Sequence, residues 1–273
     1  MPRDIARARQ LGEQAVALAR QLDDGRLLID ALATLGFVCY LAGEPERGLP
    51  HGREAVQRAR QLGDDVLLGM SLMDYLLCEA LIDPAHAGPL FTEAIACTQR
   101  SGDHLFASFV NNHAGVHALR AGDIPAARAH LQHAAQARRE IGAEILDLPV
   151  NMGWVLRQDH DPDGARSSFA AALRRSRHLG DRCGIAYASL GLACLAADAG
   201  DWRRAAMLHG VAQAFLDPTG QPWEELEARY RQDSLAQVRA RLGQEQFGPD
   251  YSRGMALNSD QALDLASAQT LPT

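Results

Sequence analysis

The 273-residue sequence contains no lysine; all 27 of its basic residues are arginine. This removes a Schiff-base lysine and a P-loop lysine from the chemistry open to the chain. It is read as GC-biased coding. Aromatic residues make up only 5%, and the 47% of hydrophobic residues are mostly Ala and Leu, which favour helices. The five cysteines, Cys39, Cys78, Cys97, Cys183 and Cys194, are odd in number and no two form C-x-x-C. Most lie in apolar helical runs, so small buried hydrophobes in a reducing cytoplasm are expected. Long apolar runs are missing too. Asp30 interrupts the stretch from Leu27 to Leu41, and Asp74 and Glu79 interrupt that from Val66 to Ile82, leaving nothing fit to span a bilayer. The first residues carry Arg and Asp without an apolar h-region, so no signal peptide is expected. The net charge of -7 and pI near 5.8 provide no overall positive surface for phosphates. There is no G-x-x-x-x-G-K-[ST], no G-x-S-x-G and no Cys with a motif-level His partner, so no enzyme and no cofactor are expected.

What is present is a repeat. Residues 11–24, LGEQAVALARQLDD, match residues 51–64, HGREAVQRARQLGD, at eight of fourteen positions with an offset of 40. Fixed-period self-similarity points to a solenoid. Turn signals centred on Asp23, Gly63, Gly102, Gly142 and Gly180 step by 40, 39, 40 and 38. Gly suits the left-handed residue that ends a helix, and Asp can cap the next one. Further breaks fall at Gly43, Asp83-Pro84, Gly122, Asp159–Pro162 and Gly200. The spacing predicts helices A over 25–41, 65–82, 104–120, 144–158 and 182–198. It predicts helices B over 4–22, 45–62, 85–101, 125–141, 162–179 and 202–216. Small residues recur where each pair must meet: Gly36, Gly115, Gly153 and Ala193 on helices A. On helices B they are Gly48, Ala87, Ala127, Ala165 and Ala205, then Ala55, Ala94, Ala134, Ala172 and Ala212. Small side chains let two backbones approach. Tyr75 stands where the second repeat should have Gly.

This pattern resembles the tetratricopeptide repeat, with a period of about 40 against a family norm of about 34. The fold expected is all-α, a right-handed α-solenoid of helix hairpins over 1–216, followed by a helical C-terminal cap and short tail over 217–273. About fourteen helices are expected in one array. Helix 4–22 reads as a helix B whose own helix A would lie upstream. A truncated chain is therefore expected, with part of its Ile5, Ala8, Leu11, Ala15 and Leu18 surface open to another chain, a homo-oligomer being one such arrangement.

After Pro218, Gly220 and Pro222, a helix from Trp223 to Leu242 ends at Gly243, and a shorter one leads to Gly254. Asn258 then opens an N-x-x-Q capping box before a last helix. The runs GDWRRAAMLHGVAQAFL, WEELEARYRQDSLAQVRARLGQEQF and GMALNSDQALDLA resemble the C-terminal end of LuxR/MalT-like and related predicted-ATPase bacterial regulators. That resemblance covers about 200–268 and implies the recognition region of an ATP-dependent transcriptional regulator. The NTPase module and helix-turn-helix of that family have no counterpart in the sequence. Neither ATP hydrolysis nor DNA binding carries over.

His113 and His117, four apart on one helix, are the pair that a metal site would use. The H-E-x-x-H glutamate is missing and no acidic third ligand has diagnostic spacing, so polar helix surface is the preferred reading. His104, His130 and His133 lie in the same repeat. Asp23/Asp24, Asp64/Asp65 and Glu224/Glu225 sit at helix starts, where the dipole favours them. Arg174, Arg175 and Arg177 read as a solvated helix face. In tetratricopeptide proteins helix A lines the concave face. The resemblance therefore implies a groove built from Asp30, Tyr40, Glu79, Asn112, Arg120, Asp147, Trp154, Arg157, Gln158, Tyr187 and Asp198. Phe37 and Leu72 are expected to contact neighbouring repeats instead. Trp154 and Arg157 are the expected anchors. A protein, peptide or small effector is the partner this groove implies. A metal-binding or enzymatic solenoid and a purely structural arm are the other readings.

Overall fold

A computed structural model describes residues 2–142 and 148–267. Among the described residues there are thirteen α-helices and no strand. They run α1 (Pro2–Leu22), α2 (Gly25–Leu41), α3 (Pro45–Leu62), α4 (Asp65–Ile82), α5 (Pro84–Ser101), α6 (His104–Ala121), α7 (Ile124–Glu140), α8 (Leu148–Gln158), α9 (Pro162–Leu179), α10 (Arg182–Asp198), α11 (Trp202–Leu216), α12 (Glu225–Met255) and α13 (Ser259–Ser267). Gly243 interrupts α12 with a non-helical backbone (φ 71°, ψ 165°), so the expected fourteen helices are reached when its two halves are counted separately. The fold is the expected all-α, solenoid-like stack of helix hairpins. No described helix is long and apolar enough to cross a membrane.

The elements start and stop for local reasons. Asp24, Asp64, Asp103, Asp123, Asp161, Asp181 and Asp201 each accept a hydrogen bond from a backbone N–H in the first turn of the next helix. A carboxylate there answers both the orphan donors and the helix dipole. Gly63 ends α3 in the left-handed region (φ 71°). At the matching position one period earlier Asp23 adopts φ 53°, so a non-glycine residue carries the same turn.

Two compact units result. Residues 2–121 and 129–142 belong to the first, and residues 122–128 and 148–267 to the second. In the first unit α1 to α5 pack each on the next, and α6 packs on α5. Gly36 of α2 lies against the backbone of Gly48 and Gly52 on α3. Tyr75 fits the second hairpin because Gly52 makes the room: a Cβ there would stand 2.8 Å from the Tyr75 ring. The expected small helix-B positions Ala55, Ala87, Ala94, Ala127, Ala134, Ala165, Ala172, Ala205 and Ala212 are all sealed from solvent. On α1, Val16 and Ala19 are buried, whereas Leu11 and Leu18 are 48% and 53% exposed and Ala15 is exposed. Of the expected open patch, Ile5 and Ala8 are half-buried.

In the second unit Phe169 of α9 lies between Gly153 of α8 and Gly191 of α10. Its neighbour on α10 is thus Gly191, whereas the expected small residue was Ala193, which is buried. The C-terminal helices are tied in tightly. Asn258 accepts hydrogen bonds from the N–H groups of Asp260 and Gln261, and Gln261 accepts one from Asn258 N, all at 3.0 Å, which is the capping box read from the sequence. At the other end of α13, Arg204 of α11 donates to the carbonyls of Leu265 (2.6 Å) and Ala266 (2.7 Å) while only 4% exposed. It answers carbonyls that a helix end leaves unpaired. Arg204→Met keeps the apolar stem and loses both bonds. It should cost about 2 kcal/mol, less than the sum of two charge-assisted bonds because the freed carbonyls can take up water. Hydrogen exchange should accelerate within 259–267 first; protection there equal to the wild type would refute the capping role.

Candidate functional site

In a helix whose Gly36 faces α3 and whose Leu35 meets Gly12 of α1, the opposite side carries residues at i, i+4, i+7 and i+11. On α2 these are Asp30, Thr34, Phe37 and Leu41, all exposed. One period on, α4 presents Met70, Asp74, Leu77 and Leu81, and α6 presents Phe109, His113, Val116 and Arg120. Leu81 and Phe109 are exposed and the other six half-buried. The first unit thus carries three stripes at matching repeat positions of α2, α4 and α6. Their chemistry is mixed. Phe37 stacks near Tyr40 (ring centroids 6.3 Å apart), and Arg138 of α7 lies 4.6 Å above the Phe109 ring.

Two ionisable groups in these stripes are enclosed without being covered. Burial pushes Asp74 up to about 7, and no charged neighbour contributes. Burial, and then the charge of Arg120, draws His113 down to about 4, so it is neutral at pH 7. An acid with a raised folded-state pKa keeps its proton where the unfolded chain has released it. Stability therefore falls as pH climbs from the ordinary aspartate value to about 7, and the loss is complete above that. The full shift corresponds to about 4 kcal/mol, and solvent reaching the half-buried side chain reduces this to about 2. Asp74→Asn should therefore stabilise the protein by about 2 kcal/mol at pH 8 and by much less at pH 5. Urea unfolding at both pH values reads this, and a gain independent of pH would contradict it.

The second unit treats the same register differently. Trp154 of α8 and Cys194 of α10 occupy the repeat position that Phe37, Leu77 and Val116 hold in the first unit, yet both are 0% exposed. Trp154 packs edge-on against Phe169 (4.9 Å) and against Tyr230 of α12 (4.5 Å). The Cys194 thiol points at the Tyr230 carbonyl, 3.8 Å away, and burial pushes its pKa up to about 12. Gln158 donates to the Tyr230 hydroxyl at 2.9 Å. Arg157 makes a two-pronged ion pair with Asp198 (2.6 and 2.9 Å) above the Tyr230 ring. Tyr187 meets Trp223 edge-on at 5.5 Å. The structure does bring Trp154, Arg157, Gln158 and Asp198 together around Tyr230 of α12, with Trp154 sealed, Arg157 half-buried, and Gln158 and Asp198 exposed at the edge. The expectation that Trp154 anchors a ligand in an open groove is corrected: it is a core residue.

Other expected groove residues divide. Asp30 and Arg120 lie on the open stripes, Tyr40 is half-buried beside them, and Asp147 lies outside the described residues. Glu79 is 3% exposed on the other side of α4, where its carboxylate is hydrogen-bonded to His86 Nδ1 at the start of α5. Asn112 is 5% exposed. Neither belongs to the stripes, because each is out of step with the i, i+4, i+7, i+11 pattern. His117, the other half of the metal pair, lies against Phe91 of α5 with the rings tilted and their centroids 5.2 Å apart. Among the described residues no group of three or more His, Cys, Asp or Glu is arranged to hold a metal ion. Thr34, Leu41, Met70, Asp74, Leu77 and Leu81 were missed from sequence, although steps of four, three and four residues from Asp30, repeated one period of 40 later, reach them. Phe37, expected to contact a neighbouring repeat, is 37% exposed.

No family model matches the chain, and no curated protein matches it. Among solved structures it is similar to the crystal structure of BtubC (BKLC) from P. vanneervenii, with a TM-score of 0.65 and 17% sequence identity. The likeness covers 81% of this chain and 94% of that one. At that identity it shows the fold, an all-helical solenoid-like architecture, and nothing further.

Proposed function

We propose that the protein is a recognition scaffold whose first unit binds an extended protein segment along the open stripes of α2, α4 and α6. One observation carries the reading: the repeat position that is buried in the second unit, at Trp154 and Cys194 against Tyr230 of α12, stays at least partly open in the first, at Phe37, Leu77 and Val116. There it offers partly exposed apolar side chains around a carboxylate without a cationic neighbour. Phe37, Leu77 and Phe109 would take apolar side chains of the segment. Asp74 would take an arginine or lysine, whose charge repays the cost of ionising a buried acid. The resemblance of the C-terminal runs to LuxR/MalT-like regulators supports placing this scaffold in a bacterial regulator, as the part that senses a partner and not as an enzyme.

A random peptide phage library panned on the protein tests the binding reading. The double variant Phe37→Ser/Leu77→Ser serves as counter-target. Enriched peptides should combine a basic residue with apolar ones, and should lose about tenfold or more in affinity on the double variant. Asp74→Asn should relax the preference for the basic residue. Equal enrichment on wild type and double variant would sink the proposal.

A further inference from the structure

A cavity of about 400 Å³ lies along the first half of α12, lined by Trp223, Ala228, Arg231, Gln232, Leu235, Ala236 and Arg239. Arg231 and Arg239 are eight residues apart on one helix, a rise of about 12 Å, and Leu235 lies midway between them. Neither has a carboxylate partner among the described residues. Arg231 spends one nitrogen, Nη2, on Gln213 Oε1 (2.6 Å) and the Tyr251 hydroxyl (3.5 Å), while its Nε is sealed from solvent without a hydrogen bond. The Arg231 guanidinium lies 5.6 Å from the Trp223 ring, and that of Arg239 lies 4.8 Å from the Phe247 ring. Elsewhere among the described residues, twelve arginines stand in ion pairs. What sets Arg231 and Arg239 apart is that both line one cavity with no carboxylate beside them.

The electrostatics of the second unit agree. His209 of α11 is 0% exposed, and its Nε2 lies 2.8 Å from Ser234 Oγ on α12. Burial pushes its pKa down to about 3, and the remaining causes are the charges of Arg231 and Arg239. No acidic group offsets them at that point. The imidazole is neutral and leaves the cavity's positive field to the two arginines.

From this geometry we infer that the α12 cavity is a binding site for a small organic anion, a carboxylate or phosphate ester carrying a flat apolar body. Arg239, the exposed guanidinium, binds the anionic group, which is the recognition that a planar arginine fork favours, and Arg231 adds its positive charge to the cavity. Trp223, Leu235 and the alanines take the apolar body. The cavity's size fits a ligand between a single aromatic acid and a nucleotide, at the low end of ligand pockets. The site lies in the second unit and is independent of the segment-binding stripes proposed for the first.

The test uses the whole chain, isothermal titration and tryptophan emission, with benzoate and AMP as anionic probes. Benzamide and adenosine serve as their neutral counterparts, inorganic phosphate as the bare anion, and ionic strength is held constant. Benzoate, AMP or both should bind with a dissociation constant of about 1 mM or tighter, and which one does so decides between carboxylate and phosphate ester. The neutral probes and inorganic phosphate should bind at least about tenfold more weakly. Arg239→Gln, which breaks no hydrogen bond of the fold and removes only a weak, exposed cation–π contact, should weaken the anionic probes about tenfold or more with only a small change in the melting temperature. Failure of both anionic probes to bind below about 10 mM would overturn the inference. So would equal binding by the neutral probes or by inorganic phosphate, or undiminished binding to Arg239→Gln.

Discussion

Gly254→Ala is expected to destabilise the protein by about 3 kcal/mol or more, which places it among the most damaging single-methyl additions available in this chain. A Cβ on Gly254 would stand inside the van der Waals radius of the Met207 carbonyl oxygen, and one on Gly210 would do the same to the Tyr251 carbonyl oxygen. The obstacle is backbone on both sides, so no rotamer change relieves it. The second half of α12 would have to move away from α11, whose Met207, Leu208 and Val211 are buried in that contact region. Gly248→Ala is the control. It lies in the same helix with nothing within 4 Å of its would-be Cβ. It should change stability by no more than about 1 kcal/mol, in the stabilising direction that alanine brings to a helix. Thermal and urea unfolding of both variants read the difference, and a Gly254→Ala midpoint equal to that of Gly248→Ala would refute the close crossing.

That glycine pair bears on how the cap's sequence motifs are understood. The runs that resemble LuxR/MalT-like regulators contain Arg204, His209, Gly210, Trp223, Tyr230, Gly254 and Asn258. Each has a packing role here: Arg204 caps α13, His209 meets Ser234, and Trp223 packs on Tyr187. Tyr230 packs on Trp154, Asn258 starts α13, and the two glycines let α11 and α12 cross. A resemblance carried by such residues speaks to the architecture of the cap. Arg231 and Arg239 lie in the same runs; Arg231 bonds to Gln213 and Arg239 lies over Phe247, but neither charge meets a carboxylate among the described residues, which is why the cavity they line invites a chemical explanation.

Helix boundaries were legible because they depend on residues close in sequence. The Asp caps, the left-handed turn glycines and the capping box at Asn258 act within a few positions, and helices such as Pro45–Leu62 and Pro162–Leu179 fall where the 40-residue spacing puts them. The small residues that let helices approach were legible for the same reason, since the period aligns them. Tyr75 was harder to read because the space it needs comes from Gly52 on another helix. The groove residues were read only in part. Choosing polar and aromatic types along helices A selected Glu79 and Asn112, which face protein, and passed over Asp74, which does not reach a partner. Angle about the helix axis was the better guide than residue type, because Gly36 already marks the side that must face α3.

Trp154→Ala is expected to cost about 4 kcal/mol, in the range for emptying a buried tryptophan site, and to lower the helical circular dichroism melting temperature accordingly. Its position on the register is the one an inner-face residue should have, one step beyond Gly153. What the period could not show is that Tyr230, seventy-six residues later, closes over it. Contacts within hairpins recur every 40 residues and are visible as a repeat, whereas the meeting of α8 with α12 occurs once and leaves no periodic trace. Removing the indole leaves Phe169 and Tyr230 without their common neighbour, and Arg157 loses part of the aromatic surface beneath its guanidinium. Trp154→Phe should recover most of the loss, since it refills much of the space while giving up an indole Nε1 that has no hydrogen-bond partner. The two readings of this residue separate cleanly in one experiment. A ligand anchor would leave the melting temperature of Trp154→Ala unchanged and alter only binding, whereas a core residue lowers it by many degrees, and an unchanged melting temperature would restore the open-groove reading for the second unit.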